Sequence, residues 1–350
     1  MSIEQDEETP KAPTLEMVAH AAGVSRATVS RVVNGSTQVT QQVTDVVNEA
    51  IERLNYVPNR AARTLASRRT NVIALVVPEQ TSTVFNDPFF ASVIQGVAVY
   101  LNDTDYTLNL LIASETSSDK TRRYLLGGNV DGALVVSHHS GDHSYTALGP
   151  KLPIVFGGRP ITPELSDSYY VDVDNVAAAR SSTEHLLSLG RKRVATIAGP
   201  QDMPPGVDRL AGWREAVLSA GLDDDLVEFG DFSPASGLDA MGRLLERSSD
   251  IDAVFFANDQ MAAGAYPLLR ERGLTIPGDI AVAGFDDDPM GTALTPTLTT
   301  VHQPSIELGA GMAKALVQLI AGEQIEHATI MPTRLVLRES TATQNSPAER

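Results

Sequence analysis

The chain has 350 residues, 42% of them hydrophobic, no cysteine and a formal net charge of −17. No disulfide framework or thiolate metal centre can form, and no apolar run is long enough to cross a bilayer, so no membrane partner is expected. The length leaves room for two or three domains, and the acidity excludes a uniformly basic nucleic-acid binder.

Where the charge lies matters more than its total. Residues 1–13 carry Glu4, Asp6, Glu7 and Glu8 with no base among the first ten, the reverse of an export signal. They read as a disordered, solvated acidic tail, and cytoplasm is the expected compartment. Residues 11–70 then hold eight bases against four acids. Positive charge is gathered in one short stretch, and an acidic body follows.

Helix punctuation fills that stretch. Thr14 can cap a helix in which Leu15, Val18, Ala19 and Ala22 recur at helical spacing, and Gly23 permits a sharp turn. Ser25 can cap a second helix of about nine residues that ends before Gly35. Val29, Val32 and Val33 make one apolar stripe on it. Ala27, Ser30, Arg31 and Asn34, with Arg26 beside them, make another face of short polar groups and arginines without an acid, which suits a nucleic-acid groove. Thr40 can cap a third helix with Val43, Val46, Val47, Ala50, Ile51 and Leu54 on one stripe. A small helical bundle packing on something else is the bland alternative. Beyond a break at Pro58, Asn59 can cap a helix of about eight residues with Ala62, Leu65 and Ala66 on its apolar face; alone it is too short to hold in water.

Thr14-Leu15, Val18-Ala19, Ala21 to Ser25, Thr28 to Asn34, Leu54-Asn55-Tyr56 and Pro58 to Ala62 together resemble the lactose-repressor (LacI/GalR) family of bacterial transcriptional regulators. The resemblance extends from about Thr14 to Ser340. It implies a ligand-controlled repressor on double-stranded DNA. One recognition helix reads few base pairs, so a homodimer on a palindromic operator is expected. Arg26 and Arg31 are the natural donors to guanine, and Ala27 leaves room for a thymine methyl. Leu15 is counted with them among the base-reading residues. By resemblance Leu65 wedges into the central minor-groove step. Thr14, Ser25, Thr28, Ser30, Asn34 and Asn59 are expected on phosphates.

From Asn71 short β-branched runs (Val72–Val77, Thr107–Ala113, Gly132–Val136, Pro153–Phe156, Tyr169–Asp174, Val194–Ala198, Leu226–Phe229, Ala253–Ala257 and Ile280–Phe285) alternate with helical stretches. Such alternation predicts parallel sheets covered by helices on both faces. The fold expected is a small all-α helix-turn-helix head and hinge helix, then two α/β lobes of periplasmic-binding-protein type with a ligand cleft between them. The expected limits are 14–58 for the head and 59–69 for the hinge. The first lobe takes 70–172 and 304–331, the second 173–303 and 332–340, and 341–350 is a polar tail. That tail has no leucine heptad, so assembly beyond a dimer is not expected.

In open α/β sheets ligands bind beyond the carboxyl ends of strands. By resemblance Arg209, Asn258 and Asp286 hydrogen-bond the effector and Phe232 stacks on it. An arginine, an amide and a carboxylate converging suit adjacent sugar hydroxyls. Asp174 either reaches the cleft or caps the following helix, and Asp259 and Asp287 pose the same choice. Trp213 reads as core. The loop Pro78–Phe90 offers Phe89 as a stacking ring for the far wall, or begins a buried helix. Gly157-Gly158-Arg159-Pro160 and Ala198 to Met203 are similar to actinobacterial repressors of cellulose and oligosaccharide use, which points to a cellobiose-like disaccharide and counts Arg159 with the effector residues. His138, His139 and His143 match no zinc spacing, so no metal is expected, and a ligand contact from His138 or His139 is expected instead, with His139 counted among the effector residues. No phosphate loop, dinucleotide fingerprint or nucleophile elbow is present, so neither a cofactor nor an enzyme is expected. The alternative is a periplasmic-type sugar-binding protein without DNA function, which leaves the first 67 residues unexplained and lacks an export signal.

Overall fold

A computed structural model describes residues 13–33, 36, 38–57, 69–112, 118–140, 145, 148, 149, 151–160 and 168–342. The acidic tail up to residue 12, Asn34, Pro58 of the head, hinge residues 59–68 with Asn59 and Leu65, His143 and residues 343–350 lie outside the described residues. The chain forms two compact units, Met1–Thr70 and Asn71–Arg350.

The head holds three helices, α1 (Leu15–Ala22), α2 (Arg26–Val33) and α3 (Gln41–Leu54). The Thr14 hydroxyl accepts from the Met17 amide at 3.3 Å and starts α1. Gly23, at φ +66°, ends it in the left-handed region, a conformation that costs a side chain-bearing residue more. The Ser25 hydroxyl accepts from the Thr28 amide at 3.1 Å and caps α2. Thr40 stands at the N-cap of α3, but its hydroxyl makes no capping bond. Val18, Val29 and Val47 are wholly buried with Ala19, Ala50 and Tyr56 around them, whereas Val46, expected on the same stripe of α3, is 43% exposed.

The body begins with β1 (Val72–Val77), α4 (Thr81–Asn86), α5 (Pro88–Leu101), β2 (Thr107–Ile112), α6 (Ser118–Leu126), β3 (Gly132–Val136), β4 (Ile154–Gly157) and β5 (Tyr169–Val173). It continues with α7 (Asn175–Ser188), β6 (Val194–Ala198), α8 (Pro204–Ser219), β7 (Val227–Phe229), α9 (Pro234–Arg247), β8 (Ala253–Phe256), α10 (Asp259–Glu271) and β9 (Ala281–Asp286). Last come α11 (Pro289–Ala293), β10 (Thr299–His302), α12 (Ser305–Ala321), β11 (Ala328–Met331) and β12 (Arg334–Val336).

Two six-stranded sheets result, ordered β11-β5-β4-β3-β1-β2 and β12-β10-β9-β8-β6-β7. The ladders are parallel except for β12, which runs antiparallel to β10. Strands buried on both faces read as continuous apolar runs, and all six residues of β1 are buried. One face of the first sheet packs on Phe90, Val93 and Val97 of α5 and on Leu308, Met312 and Leu316 of α12; the other carries Leu125, Tyr145 and Leu148. Trp213 sits fully buried between the second sheet, α7 and α8, and α9 and α10 cover the opposite face. The chain passes from one lobe to the other after β5, after β10 and after β11.

The loop expected at Pro78–Phe90 contains the short helix α4, anchored by buried Val84. Helices α8 and α9 start several residues before their apolar stripes because Pro204 and Pro234 occupy the first helical position, where a missing N–H costs nothing.

Candidate functional site

In the head, Val29 turns α2 inward to the core and leaves Arg26, Ala27 and Arg31 exposed on the outer side. Arg26 Nε lies 3.0 Å from Glu16 Oε1 of α1, so one edge of its guanidinium is held and the other faces outward. The Ser25 and Thr28 hydroxyls bond each other at 2.9 Å. Thr14 is exposed, Ser30 is half-buried, and Leu15 is half-buried against the head core, so only part of its side chain faces out.

In the body, a cavity of about 280 Å³ opens between the two sheets, lined by residues that follow strands of both. Arg209, near the start of α8, is its organising group and is 5% exposed. Its Nε donates to Asn175 Oδ1 at 2.9 Å, Nη1 to the Ala257 carbonyl at 2.6 Å and to Asp286 Oδ1 at 3.3 Å, and Nη2 to Gln303 Oε1 at 3.2 Å. Four of its five N–H groups are thereby committed. The guanidinium also lies over the Phe285 ring, 3.6 Å from its centroid. Burial lowers the Arg209 pKa, and Asp286 and Asp172 pull it back up.

Burial pushes Asp286 up to about 7 against the pull of Arg209, and Asp87, at the start of α5, up to about 6 against the bond from the Phe89 amide. Asp286 and Asp287 adopt φ +109° and +61°, strained values for residues with a side chain, at the end of β9 beside the cavity. Phe232 is also in the left-handed region at φ +69°. Its carbonyl accepts from Asn258 Nδ2 at 2.9 Å, while Asn258 Oδ1 accepts from the Met261 amide at 3.0 Å and caps α10. Asn258 thus builds the wall that holds Phe232 and keeps one N–H in reserve. Phe89 meets Phe90 edge to face at 5.5 Å.

Of the expected effector residues, Arg209, Asn258, Asp286, Phe232, Phe89 and His139 line the cavity, and Arg159 and Asp174 do not. Asp174 is exposed and caps α7, its carboxylate accepting from the Ala177 amide at 2.9 Å. Arg159 turns away to Asp208, with Nε 2.9 Å from Oδ2. His139 borders the cavity with both ring nitrogens taken, 3.0 Å from Glu79 Oε1 and 2.8 Å from Asp202 Oδ2. The bond to Glu79, then that to Asp202, raises its pKa to about 9, so it is a charged bridge.

Neither Asp259 nor Asp287 caps a helix. Asp259 accepts from the Thr300 hydroxyl at 2.6 Å and the Asp288 amide at 2.9 Å, and burial holds its pKa well above the usual range. Asp287 binds His302 at 2.9 Å and Arg338, while Asp288 caps α11. Sequence reasoning missed Glu79, Asp172, Asn175 and Gln303. Asp172 and Asn175 flank the acid it singled out, and Gln303 follows β10, a Thr-rich strand that carries little apolar signal. Among the described residues no group of three or more His, Asp or Glu is arranged to hold a metal.

Residues 14–59 match the family profile described as "Bacterial regulatory proteins, lacI family", and residues 183–341 match the "Periplasmic binding protein-like domain". The chain is 45% identical to the HTH-type transcriptional regulator CelR of Thermobifida fusca over 338 residues, 95% of this chain and 99% of that one. The chain belongs to the lacI family of bacterial regulatory proteins. Within the lacI family it is also 32% identical to the ribose operon repressor of Escherichia coli (strain K12), over 94% of this chain and 99% of the other.

Two solved structures bear on its sites. A "transcriptional regulator CelR-cellobiose complex" matches with TM-score 0.75 at 44% identity, over 94% of this chain and 99% of that one. A lac repressor dimer bound to operator and the anti-inducer ONPF matches with TM-score 0.85 at 27% identity, over 95% and 100%. These relatives are transcriptional regulators, and a sugar-binding protein without DNA function finds no support among them.

Proposed function

We propose that the chain is a homodimeric repressor whose affinity for a palindromic operator is set by a neutral sugar, a cellobiose-like disaccharide, bound between the two lobes. The head, residues 14–58, binds DNA, residues 59–69 form the hinge, and the two lobes form the sensor. Arg26 and Arg31 donate to guanine edges, with Ala27, Leu15 and Leu65 making apolar base contacts. Thr14, Ser25, Thr28, Ser30, Asn34 and Asn59 hold phosphates. It works in the cytoplasm, where its operator is, and catalyses no reaction.

The observation that carries the sugar reading is the polar inventory of the cavity. Its lining holds Arg209 and Asn258, each with one N–H outside the bonds described, together with the Asp286 and Asp87 carboxylates and the Phe232 and Phe89 rings. Donors and acceptors set against aromatic faces fit hydroxyls on a ring with apolar faces. An excess of carboxylates disfavours anionic sugars. The similarity to CelR supports cellobiose as the first ligand to try.

Titration with cellobiose, with and without a palindromic operator selected from random duplexes, tests the reading. Linkage requires operator and sugar to change each other's affinity by one factor. Equal sugar affinities with and without operator would rule out the coupling, and failure to select any duplex would remove the DNA function.

A further inference from the structure

Arg159 and Asp208 stand outside the cavity, yet they close a ring of bonds around the residue that organises it. Arg159 follows β4 in the first lobe, and its side chain pairs with Asp208 of α8 in the second, with Nε 2.9 Å from Oδ2. Its backbone N–H donates to Asp172 Oδ2 at 2.8 Å. Asp172 Oδ1 accepts from Asn175 Nδ2 at 3.1 Å, and Asn175 Oδ1 accepts from Arg209 Nε at 2.9 Å. Arg209 follows Asp208 in the chain, so the ring is complete. It passes from the first lobe to the second at two places, Arg159–Asp208 and Asp172–Asn175.

From this geometry we infer that Arg159 and Asp208 are positioning residues of the sugar site: their bridge fixes the first turns of α8 against the first lobe and so aims Arg209 into the cavity. The pair is well placed for that work. Asp208 is largely buried, the contact is two-pronged, and a guanidinium fork meeting a carboxylate is geometrically demanding. A second contact lands on the same stretch of the second lobe, where the Ser140 amide donates to the Asp202 carbonyl at 2.7 Å and His139 binds the Asp202 carboxylate. Residues 202–209 are thus gripped from the first lobe at both ends. Arg159 keeps 38% of its side chain exposed, so the bridge acts by placing α8 and not by presenting a buried charge. A misaimed Arg209 shortens the time a ligand stays, because affinity changes within one site fall mostly on dissociation.

The inference rests on the sugar site proposed above, and the test separates the two. A double-mutant cycle on the full chain uses Arg159→Ala, Asp208→Asn and both together. In ligand-free protein, hydrogen exchange over residues 203–212 is expected to quicken equally in all three. With cellobiose as probe, each single change is expected to speed dissociation about tenfold, and the double change no further, since one bridge is lost only once. Arg159→Lys, which keeps the charge but loses the fork, should fall between wild type and Arg159→Ala. Unchanged exchange in the single variants, or a double variant slowed or quickened by the product of the two, would overturn the assignment. If wild-type protein ignores cellobiose, the sugar reading falls, and the exchange cycle alone decides the bridge.

Discussion

A guanidinium enclosed as Arg209 is holds its surroundings together only while its partners remain. Removing it leaves Asp286 buried beside Asp87 and Asp288 with no cation to offset it. Arg209→Ala is therefore expected to cost about 3–5 kcal/mol of stability, measured by urea unfolding. Asp286 sets a pH dependence of definite sign. Its folded pKa of about 7 lies above the 3.8 of an ordinary aspartate, so between those values the folded chain keeps a proton that the unfolded chain has lost. Its contribution is complete below about pH 4 and disappears as pH rises through about 7. Asp87, at about 6, acts in the same direction. Unfolding free energies at several pH values should show a smaller decline in Asp286→Asn than in wild type; equal slopes would refute the sign. In the head, the base-reading role proposed for Arg26 predicts that Arg26→Ala loses about 1–3 kcal/mol on the operator with little change on random duplex. An equal loss on both duplexes in a binding titration would assign Arg26 to the backbone instead.

At the scale of elements, the cavity depends on how closely strand ends approach the loops beside them. Gly199 directly follows β6, and a Cβ there would come within 2.3 Å of the Phe232 ring. That ring cannot retreat freely, since its own backbone is strained and its carbonyl is tied to Asn258. Gly199→Ala should displace the ring and weaken cellobiose binding about tenfold, because a misplaced wall of a pocket costs affinity without unfolding the protein. Calorimetric titration reads the affinity and the melting temperature checks the fold. None of this was visible in a run of glycine, proline and glutamine. What could be read were elements with a strong period, such as the apolar runs of β1 and β3 and the stripes of α1 and α2. Strands β11 and β12 went unread because they sit at sheet edges with most residues exposed or half-exposed, so no apolar run marks them. Arg209 and Asp286 could be named from the resemblance, but Asp174 and Arg159 could not be placed. Asp174 and Asn175 lie past the end of β5, where strand alternation no longer sets direction, so the sequence does not tell that Asp172 and Asn175 line the cavity while Asp174 caps a helix.

For the molecule as a whole the partition of charge sets the two sites apart. Eight bases and four acids fall in residues 11–70, while the net charge of the entire chain is −17. A basic head on an acidic body should hold duplex DNA through the head alone, with the body repelled by it. Displaced counterions then control the affinity, which is expected to fall by about 10³ or more between 50 and 200 mM salt for a dimer making six or more phosphate contacts. A neutral sugar displaces no counterions, and the buried contacts proposed for it with Arg209, Asp286 and Asp87 would be poorly screened. Cellobiose affinity measured over the same salt range without DNA should therefore stay nearly constant. The comparison discriminates sharply between kinds of ligand. A sugar affinity that fell in parallel with operator affinity would mean that the cavity holds its ligand by net charge, and an anionic or cationic effector would replace the neutral one.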